Sequence, residues 1–433
     1  MLDCSVSIIS LLSFFVNRFD KAYPRVIQYI KKQGGDRMFE MKLPSDVMFI
    51  LERMHEHGHS AHVVGGSVRD FLIGRELGDF DITTSALPKE TKAVFSDYKT
   101  VDTGIKHGTV TLVLEGVPYE ITTYRIDGDY KDNRHPDEVT FTANLTEDLA
   151  RRDFTVNAIA YSPKDGLTDP FGGRRDVKNR IIRAVGDPYR RFDEDALRIL
   201  RALRFAATLS FDIEDNTAKA ARELSDRLSS ISKERVYAEL KKLIAGENAY
   251  RIIKKYADVL SCALDGFKIS RLPEKRRFQK SDYLTRLASL IYMNSMDHTD
   301  AAEKLLTALK TDKLTRTSIV AIFEAYENNY LGDERDALRL LAKHGKDAVE
   351  GALKLGILIG KFTNDEADVL SSALASGIPY TVAQLDIRGT DLIPMGIRGE
   401  AVGEALKSLL AAVIEGEVEN TKPALMSYLI RTM

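Results

Sequence analysis

Residues 63–84 read "VVGGSVRDFLIGRELGDFDITT", and the order of these residues decides the fold. A β-branched pair, Val63-Val64, runs into Gly65 and Gly66; a helical stretch opens at Ser67; a second β-rich run carries Asp79 and Asp81. Glycines let backbone N–H groups come close to a phosphate, and a helix N-terminus adds a favourable dipole. Along a strand, residues i and i+2 share a face, so Asp79 and Asp81 converge while Phe80 turns to the core. Two carboxylates held together raise each other's pKa unless a cation sits between them. Oxygen-only donors select a hard ion, Mg²⁺ foremost, and two such ions can clamp the attacking and leaving oxygens of a phosphoryl transfer. For the D-x-D string alone, a polar turn after Gly78 reads equally well. Further on, "YEITTYR" (119–125) offers Glu120 as a third carboxylate from an adjacent strand, although a solvent-facing strand glutamate would look the same.

Outward from this stretch, the chain has 433 residues, 44% hydrophobic and 29% charged. That is too long for one ordinary core and reads as a soluble protein of two to four domains. With a formal net charge of -2, any nucleic-acid partner has to be met by local basic patches. Two cysteines, Cys4 and Cys262, support neither a disulfide framework nor a cysteine metal site, which suits the reducing cytoplasm. The apolar run "SVSIISLLSFFV" (5–16) falls short of the roughly 20 residues a membrane span needs, and no positive charge precedes it. Residues 1–40 are therefore read as a leader, dispensable or not part of the working protein, with an interfacial helix as the alternative. From Met41, "MKLPSDVMFILERM" predicts a helix introduced by Pro44 and Ser45, with Val47, Ile50 and Leu51 on one face. From about 61 to 175, short β-rich runs alternate with short helical ones, a mixed α/β pattern. From about 188 onward, apolar residues recur at helical spacing, as in Val236, Leu240, Leu243 and Ile244, with Ser232 as N-cap and Gly246 as stop. The fold class is α+β: a mixed sheet with helices, then an all-helical remainder.

Strand, Gly-Gly, helix, then a strand with D-x-D is the order that resembles nucleotidyltransferases of the polymerase β superfamily. Four further stretches follow: "RRDFTVNA" (151–158), "DPFGG" (169–173), "FDEDALRILRALRFAA" (192–207) and "KERVYAEL" (233–240). Together these motifs, spread over about 65 to 245, resemble the bacterial class II CCA-adding tRNA nucleotidyltransferases, which share their catalytic half with bacterial poly(A) polymerases. The resemblance implies a polymerase β-like head at 41–185, a helical neck at 186–246 that recognises the nucleotide base, and a helical body and tail at 247–433 that bind tRNA. It implies template-free addition of C, C and A to tRNA 3′ ends from CTP and ATP, with two Mg²⁺ ions and without a membrane. Asp79, Asp81 and Glu120 then take the catalytic role, the first two as metal ligands. Gly65, Gly66, Arg69, Arg151 and Arg152 fall on the phosphate side, Asp153 near the ribose, and Asn157 fixes local backbone. Taken alone, Arg151 and Arg152 would pass for a surface pair.

The "EDALR" stretch (194–198) has its own chemistry. On a helix, Asp195 and Arg198 share a face. Cytosine presents an amino donor beside a ring-nitrogen acceptor, and adenine presents the same order, so an aspartate and an arginine can read both. Uracil and guanine reverse that order and leave like groups facing each other, which is costly in a closed pocket. An intrahelical salt bridge is the plain alternative; the resemblance puts nucleotide recognition on Glu194, Asp195 and Arg198. The charged stretch 125–141 reads as a mobile loop, and the family's loop here, with Asp129, Lys131, Asp132 and Arg134, is associated with the switch from C to A. Arg201 and Arg204 extend a possible basic stripe, and Lys275, Arg276 and Arg277 lie in the basic run 268–280; these are the candidates for tRNA backbone contact. The tail stretch 385–406 resembles the family's phosphate-approaching turn and helix. Two other readings stay open: a poly(A) polymerase or partial A- or CC-adding enzyme, and a non-catalytic RNA-binding protein on the same scaffold.

Overall fold

The computed structural model describes residues 29–31, 37–128, 139–327 and 331–432. Most of the expected leader, and the loop residues Asp129, Lys131, Asp132 and Arg134, lie outside the described residues. The chain forms two compact units, Met1–Asp195 and Ala196–Met433, where the sequence reading ended the head at 185.

In the first unit, helix α1 (Ser45–Glu56) starts after Pro44 and buries Val47, Ile50, Leu51 and Met54, the face its spacing predicts. Strand β1 (Ala61–Val64), buried at every position, leads through Gly65 into α2 (Gly66–Leu72), and β2 (Asp81–Thr84) follows. After α3 (Pro88–Val94) come β3 (Lys99–Gly104), β4 (Thr109–Leu114) and β5 (Val117–Thr123). The β4–β5 connection is two residues, Glu115 and Gly116, both with positive φ, the turn whose twist matches paired strands. Strands β6 (Arg125–Asp127) and β7 (Val139–Phe141) pair antiparallel, so both ends of the expected mobile loop are strand. Helix α4 (Leu145–Ala150), strands β8 (Ala160–Ser162) and β9 (Gly166–Thr168), and helices α5 (Gly173–Asn179) and α6 (Pro188–Glu194) complete the unit.

Seven of these strands form one sheet in the order β9-β8-β1-β2-β5-β4-β3. Every pairing is antiparallel except β2 with β5, which sets Ile82 opposite Ile121 and Thr83 opposite Thr122. One step back, that register puts Asp81 beside Glu120. Neighbours in register point to the same face of a sheet, so the parallel pair aims both carboxylates the same way. Leu149 of α4 packs on Val64 together with Ala158, Ala160 and Val185, which docks α4 beside the end of β1.

The second unit is helical. Helix α7 (Leu197–Leu209) buries Leu197, Leu200 and Leu203, and α8 (Lys233–Ala245) starts after Ser232 and ends at Gly246, as the sequence predicts. The stretch 265–282, which includes the basic run 268–280, runs inside this unit and contains α9 (Lys275–Lys280), followed by α10 (Tyr283–Met293). Here Arg286 acts as a pin. Only 6% exposed, it donates to Ile244 O at 2.8 Å, Gly246 O at 2.9 Å, Phe278 O at 2.9 Å and Gln279 O at 2.8 Å. These carbonyls sit at the C-terminal ends of α8 and α9, where orphaned acceptors and the negative dipole end favour a cation. The unit also encloses an apolar cavity of about 40 Å³ beside Leu240, Leu243, Ile253, Leu290 and Leu306. The residues from 331 to 429 close around Leu338, Leu341, Leu409 and Leu425.

Candidate active site

The site is built at the end of β1, β2 and β5 in the first unit. Val64, Asp81, Ile82, Thr109, Glu120, Thr122, Arg125, Arg151 and Arg152 line a polar cavity of about 220 Å³. Asp81 opens β2, whereas Asp79 lies ahead of the strand, so the expectation of both carboxylates on one strand holds only for Asp81. Phe80 is half-buried and does not enter the core, because the chain is still extended loop there. Asp81 remains open to water, yet the protein crowded around it raises its pKa above the ordinary carboxylate value; Arg152 pulls it down and Asp79 pushes it further up.

Gly65 holds φ 77 and ψ -125, a backbone region that residues with a Cβ rarely enter. A Cβ there would sit 3.2 Å from Arg152 Nη1. The close approach of backbone and guanidinium is therefore written into the glycine. Its N–H donates to Ile159 O at 3.2 Å, which ties the turn to the segment before β8.

Arg151 and Arg152 directly follow α4 and converge on Asp148 one turn earlier. Arg151 donates from Nε to Asp148 Oδ1 at 2.9 Å and pairs through Nη2 at 2.8 Å. Arg152 Nη2 lies 3.5 Å from Oδ2. Asp148 is fully buried; burial works to raise its pKa, but the two guanidinium groups outweigh it and hold the carboxyl below its ordinary value. Burial depresses the Arg152 pKa, with Asp148 opposing.

The expected phosphate and ribose residues form a chain behind this pair. Arg69, 7% exposed, donates to Asn157 Oδ1 at 2.5 Å and to both oxygens of Asp70 at 3.0 Å. Asn157 Nδ2 donates in turn to Asp153 Oδ1 at 3.0 Å, which also accepts from Phe154 N–H at 2.8 Å. Thus Asn157 spends both ends of its amide between Arg69 and Asp153. Gly66 opens α2 next to this chain. Behind it, Gly173 touches the same segment so closely that a Cβ would lie 2.0 Å from Thr155 O.

Glu194 ends α6, paired with Arg191 at 2.8 Å and Arg190 at 3.3 Å. The shared helical face expected for Asp195 and Arg198 is corrected by the backbone: Asp195 is extended at φ -147, and the next helix starts at Leu197. Aspartate competes with the helix for its own backbone groups, and the buried leucines of α7 restart the helix after it. Arg198 is 9% exposed on α7.

Among the tRNA candidates, Arg204 ion-pairs with Glu239 of α8 at 2.7 Å and stacks on Phe205, and Arg201 lies 3.5 Å from the same carboxylate. The stripe thus also ties α7 to α8. Arg277 Nη1 donates to Ile357 O at 3.1 Å, at the end of the helix Lys346–Ile359; Lys275 and Arg276 are exposed. Sequence reasoning missed Asp148, Arg125 and Thr83, although the spacing of Asp148 to Arg151 and Arg152, three and four residues, was a readable helical signal.

Comparison with known proteins follows the same division. A family model described as "Poly A polymerase head domain" matches residues 61–183, and one described as tRNA nucleotidyltransferase domain 2 matches 279–429. The CCA-adding enzyme of Lactobacillus delbrueckii subsp. bulgaricus is 38% identical over 395 residues, 89% of this chain and 97% of that protein. The chain belongs to the bacterial-type CCA-adding enzyme family. The family member from Geobacillus stearothermophilus is 36% identical over 409 residues, 90% of this chain and 98% of its own. The crystal structure of Bacillus stearothermophilus CCA-adding enzyme in complex with CTP superposes with a TM-score of 0.74 at 33% identity, covering 90% of this chain and 98% of that one. A Thermotoga maritima CCA-adding enzyme shares the fold at a TM-score of 0.63 and 22% identity.

The donor chemistry fits a metal at Asp79 and Asp81. Both are oxygen donors and both are open to water, and a cation would offset the crowding by protein, and the smaller push from Asp79, that raise Asp81. Among the described residues no group of three or more His, Cys, Asp or Glu side chains gathers tightly enough to hold an ion; Glu120 lines the cavity wall. No helix among the described residues is long and apolar enough to cross a membrane.

Proposed function

We propose that this chain adds C, C and A to tRNA 3′ ends from CTP and ATP without a nucleic-acid template, in the cytoplasm. The observation that carries the reading is that Asp81 and Glu120, from the parallel-paired β2 and β5, line one cavity with Arg125, Arg151 and Arg152. The naming of relatives at 36–38% identity and the CTP complex of one at 33% support it.

In this reading, Asp79 and Asp81 would hold Mg²⁺, two ions in all, which supply a lowered hydroxyl pKa and neutralise triphosphate charge. Arg151 and Arg152 meet the triphosphate through guanidinium forks suited to phosphate oxygens. Gly65 keeps the backbone low enough for that approach, and Asp153, held by Asn157, accepts from a ribose hydroxyl. The tRNA 3′-hydroxyl attacks the α-phosphate in line and pyrophosphate leaves, so the chain needs to orient the reactants and supplies no nucleophile of its own. Asp195 and Arg198 select the base by its donor and acceptor order without sharing a helical face, Asp195 from an extended residue and Arg198 from α7, and the residues around Lys275 and Arg276 contribute cations to tRNA binding.

The test is extension, with Mg²⁺, of three tRNAs ending in the discriminator base, in C and in CC, with CTP and ATP alone and together, read at single-nucleotide resolution. Products that all stop at CCA are expected. Long A tails would reassign the chain as a poly(A) polymerase, arrest at CC or extension from CC alone would make it a partial enzyme, and no extension would leave a binding protein.

A further inference from the structure

All three arginines that line the polar cavity meet at one buried carboxylate. Asp148 accepts from Arg151 through Nε, pairs with Arg152, and accepts the backbone N–H of Arg125 at 3.3 Å. Arg125 begins β6, directly after β5, the strand that carries Glu120, and its Nη1 donates to His107 O at 2.5 Å. On the fourth side, Thr83 Oγ1 on β2 lies 3.2 Å from Asp148 Oδ2, two residues after Asp81. Leu149, next in sequence, is fully buried against Val64. A carboxylate with no exposed surface has no role in solvation, so its ionised form is retained for what it holds.

We propose that Asp148 is the positioning residue of the triphosphate subsite, and that Arg125 joins Arg151 and Arg152 as its third cation. The Arg151 and Arg152 guanidinium groups carry like charge beside a small cavity and would spread apart without an anion behind them, whereas Asp148 holds Arg125 by its backbone N–H and the Arg125 guanidinium is anchored on His107 O. Asp148 supplies that anion, and the two guanidinium groups it holds both line the cavity. Through Thr83 the same carboxylate fixes the arginines relative to β2, so the groups that meet the β- and γ-phosphates keep a set distance from the strand bearing Asp81. The inference rests on the nucleotidyltransferase reading of the site.

The experiment measures KM and kcat for CTP and ATP, with thermal unfolding, for the full chain and for Asp148→Asn, Arg151→Gln, the double variant, Arg125→Gln and Thr83→Val. Asp148→Asn is expected to raise KM for both nucleotides about tenfold or more, the scale of a lost charge-assisted hydrogen bond. The double variant is expected to lie no further from wild type than the worse single one, because both act on one element. Arg125→Gln should raise both KM values with kcat nearly kept. Additive KM effects, or a fall in melting temperature with KM unchanged, would overturn the role of Asp148, and an unchanged KM in Arg125→Gln would remove that arginine from the subsite. If Asp148→Asn does not fold, Thr83→Val decides: it keeps the carboxylate and all three arginines, and an unchanged nucleotide KM refutes the coupling to β2. A wild-type chain that incorporates neither nucleotide would instead sink the underlying functional reading.

Discussion

Two cavities, one in each unit, are opposites. The one in the sheet unit is lined by two carboxylates and three arginines, whereas the one in the helical unit is lined by leucines, isoleucines and two tyrosines. Each is a departure from close packing, and each lowers stability, but for different reasons. The apolar void forfeits dispersion contacts and nothing in it calls for a polar ligand. The polar one concentrates charges that repel or lose water, a cost kept at sites where binding later reverses it. Arginine makes the same point: Arg151 and Arg152 stand on a carboxylate beside open space, while Arg286 spends its donors on carbonyls at helix ends. Residue type alone does not separate the two uses; the partner does.

The largest effect is expected at the open end of that contrast. Asp81→Asn should lower kcat roughly a thousandfold or more, with a melting temperature equal to or slightly above wild type, because the folded state disfavours this ionised carboxylate. Substantial residual turnover would break the assignment of the polar cavity as the site. Arg286→Met should do the reverse, lowering stability by about 3 kcal/mol in guanidinium unfolding while leaving the CTP KM unchanged well below the transition. A changed KM with full stability would erase the distinction between the two kinds of arginine.

A third test sharpens it within the sheet unit. His62, 4% exposed, contacts Tyr124 Oη through Nδ1 at 2.8 Å and Asp165 through Nε2 at 3.1 Å. Burial lowers its pKa despite Asp165, so the folded state favours the neutral ring. Stability is then fully present above the unfolded value of about 6.5 and falls as the pH drops below it toward the folded value. His62→Gln should flatten the slope of unfolding free energy just below about pH 6.5; the same slope in both proteins would refute this. Smallest is Leu290→Phe, which fills part of the apolar void and should add about 0.5–1 kcal/mol with unchanged kinetics.

Much of the site was legible because it is local. Gly65, Gly66 and Asp81 sit within one strand-turn-helix-strand unit, and no packing need would place glycines and an aspartate in that order. Glu120 was readable from alternation along β5, since period two fixes its face once the pairing is known. The break at Asp195 was not legible: the stretch from Phe192 to Ala207 has helical spacing throughout, and only the extended backbone at Asp195 shows two helices. Nor did composition show that Arg201 and Arg204 share Glu239, or that Arg277 caps a helix end eighty residues away. Such partners are set by tertiary packing, which periodicity does not carry. Asp148 was legible in principle, but an acidic residue ahead of two arginines reads as a surface pair until burial is known.

The parallel pairing of β2 with β5 also bears on how the chain reaches its native state. The antiparallel neighbours β3, β4 and β5 are joined by short connections, but β2 meets β5 only after α3 and the β3–β4 hairpin have been threaded between them. Long-separation pairing closes slowly. The two carboxylates of the cavity become neighbours only when that pairing closes, and β1 meets β8 over a longer separation still, so the site is assembled from non-local contacts and no single hairpin carries it.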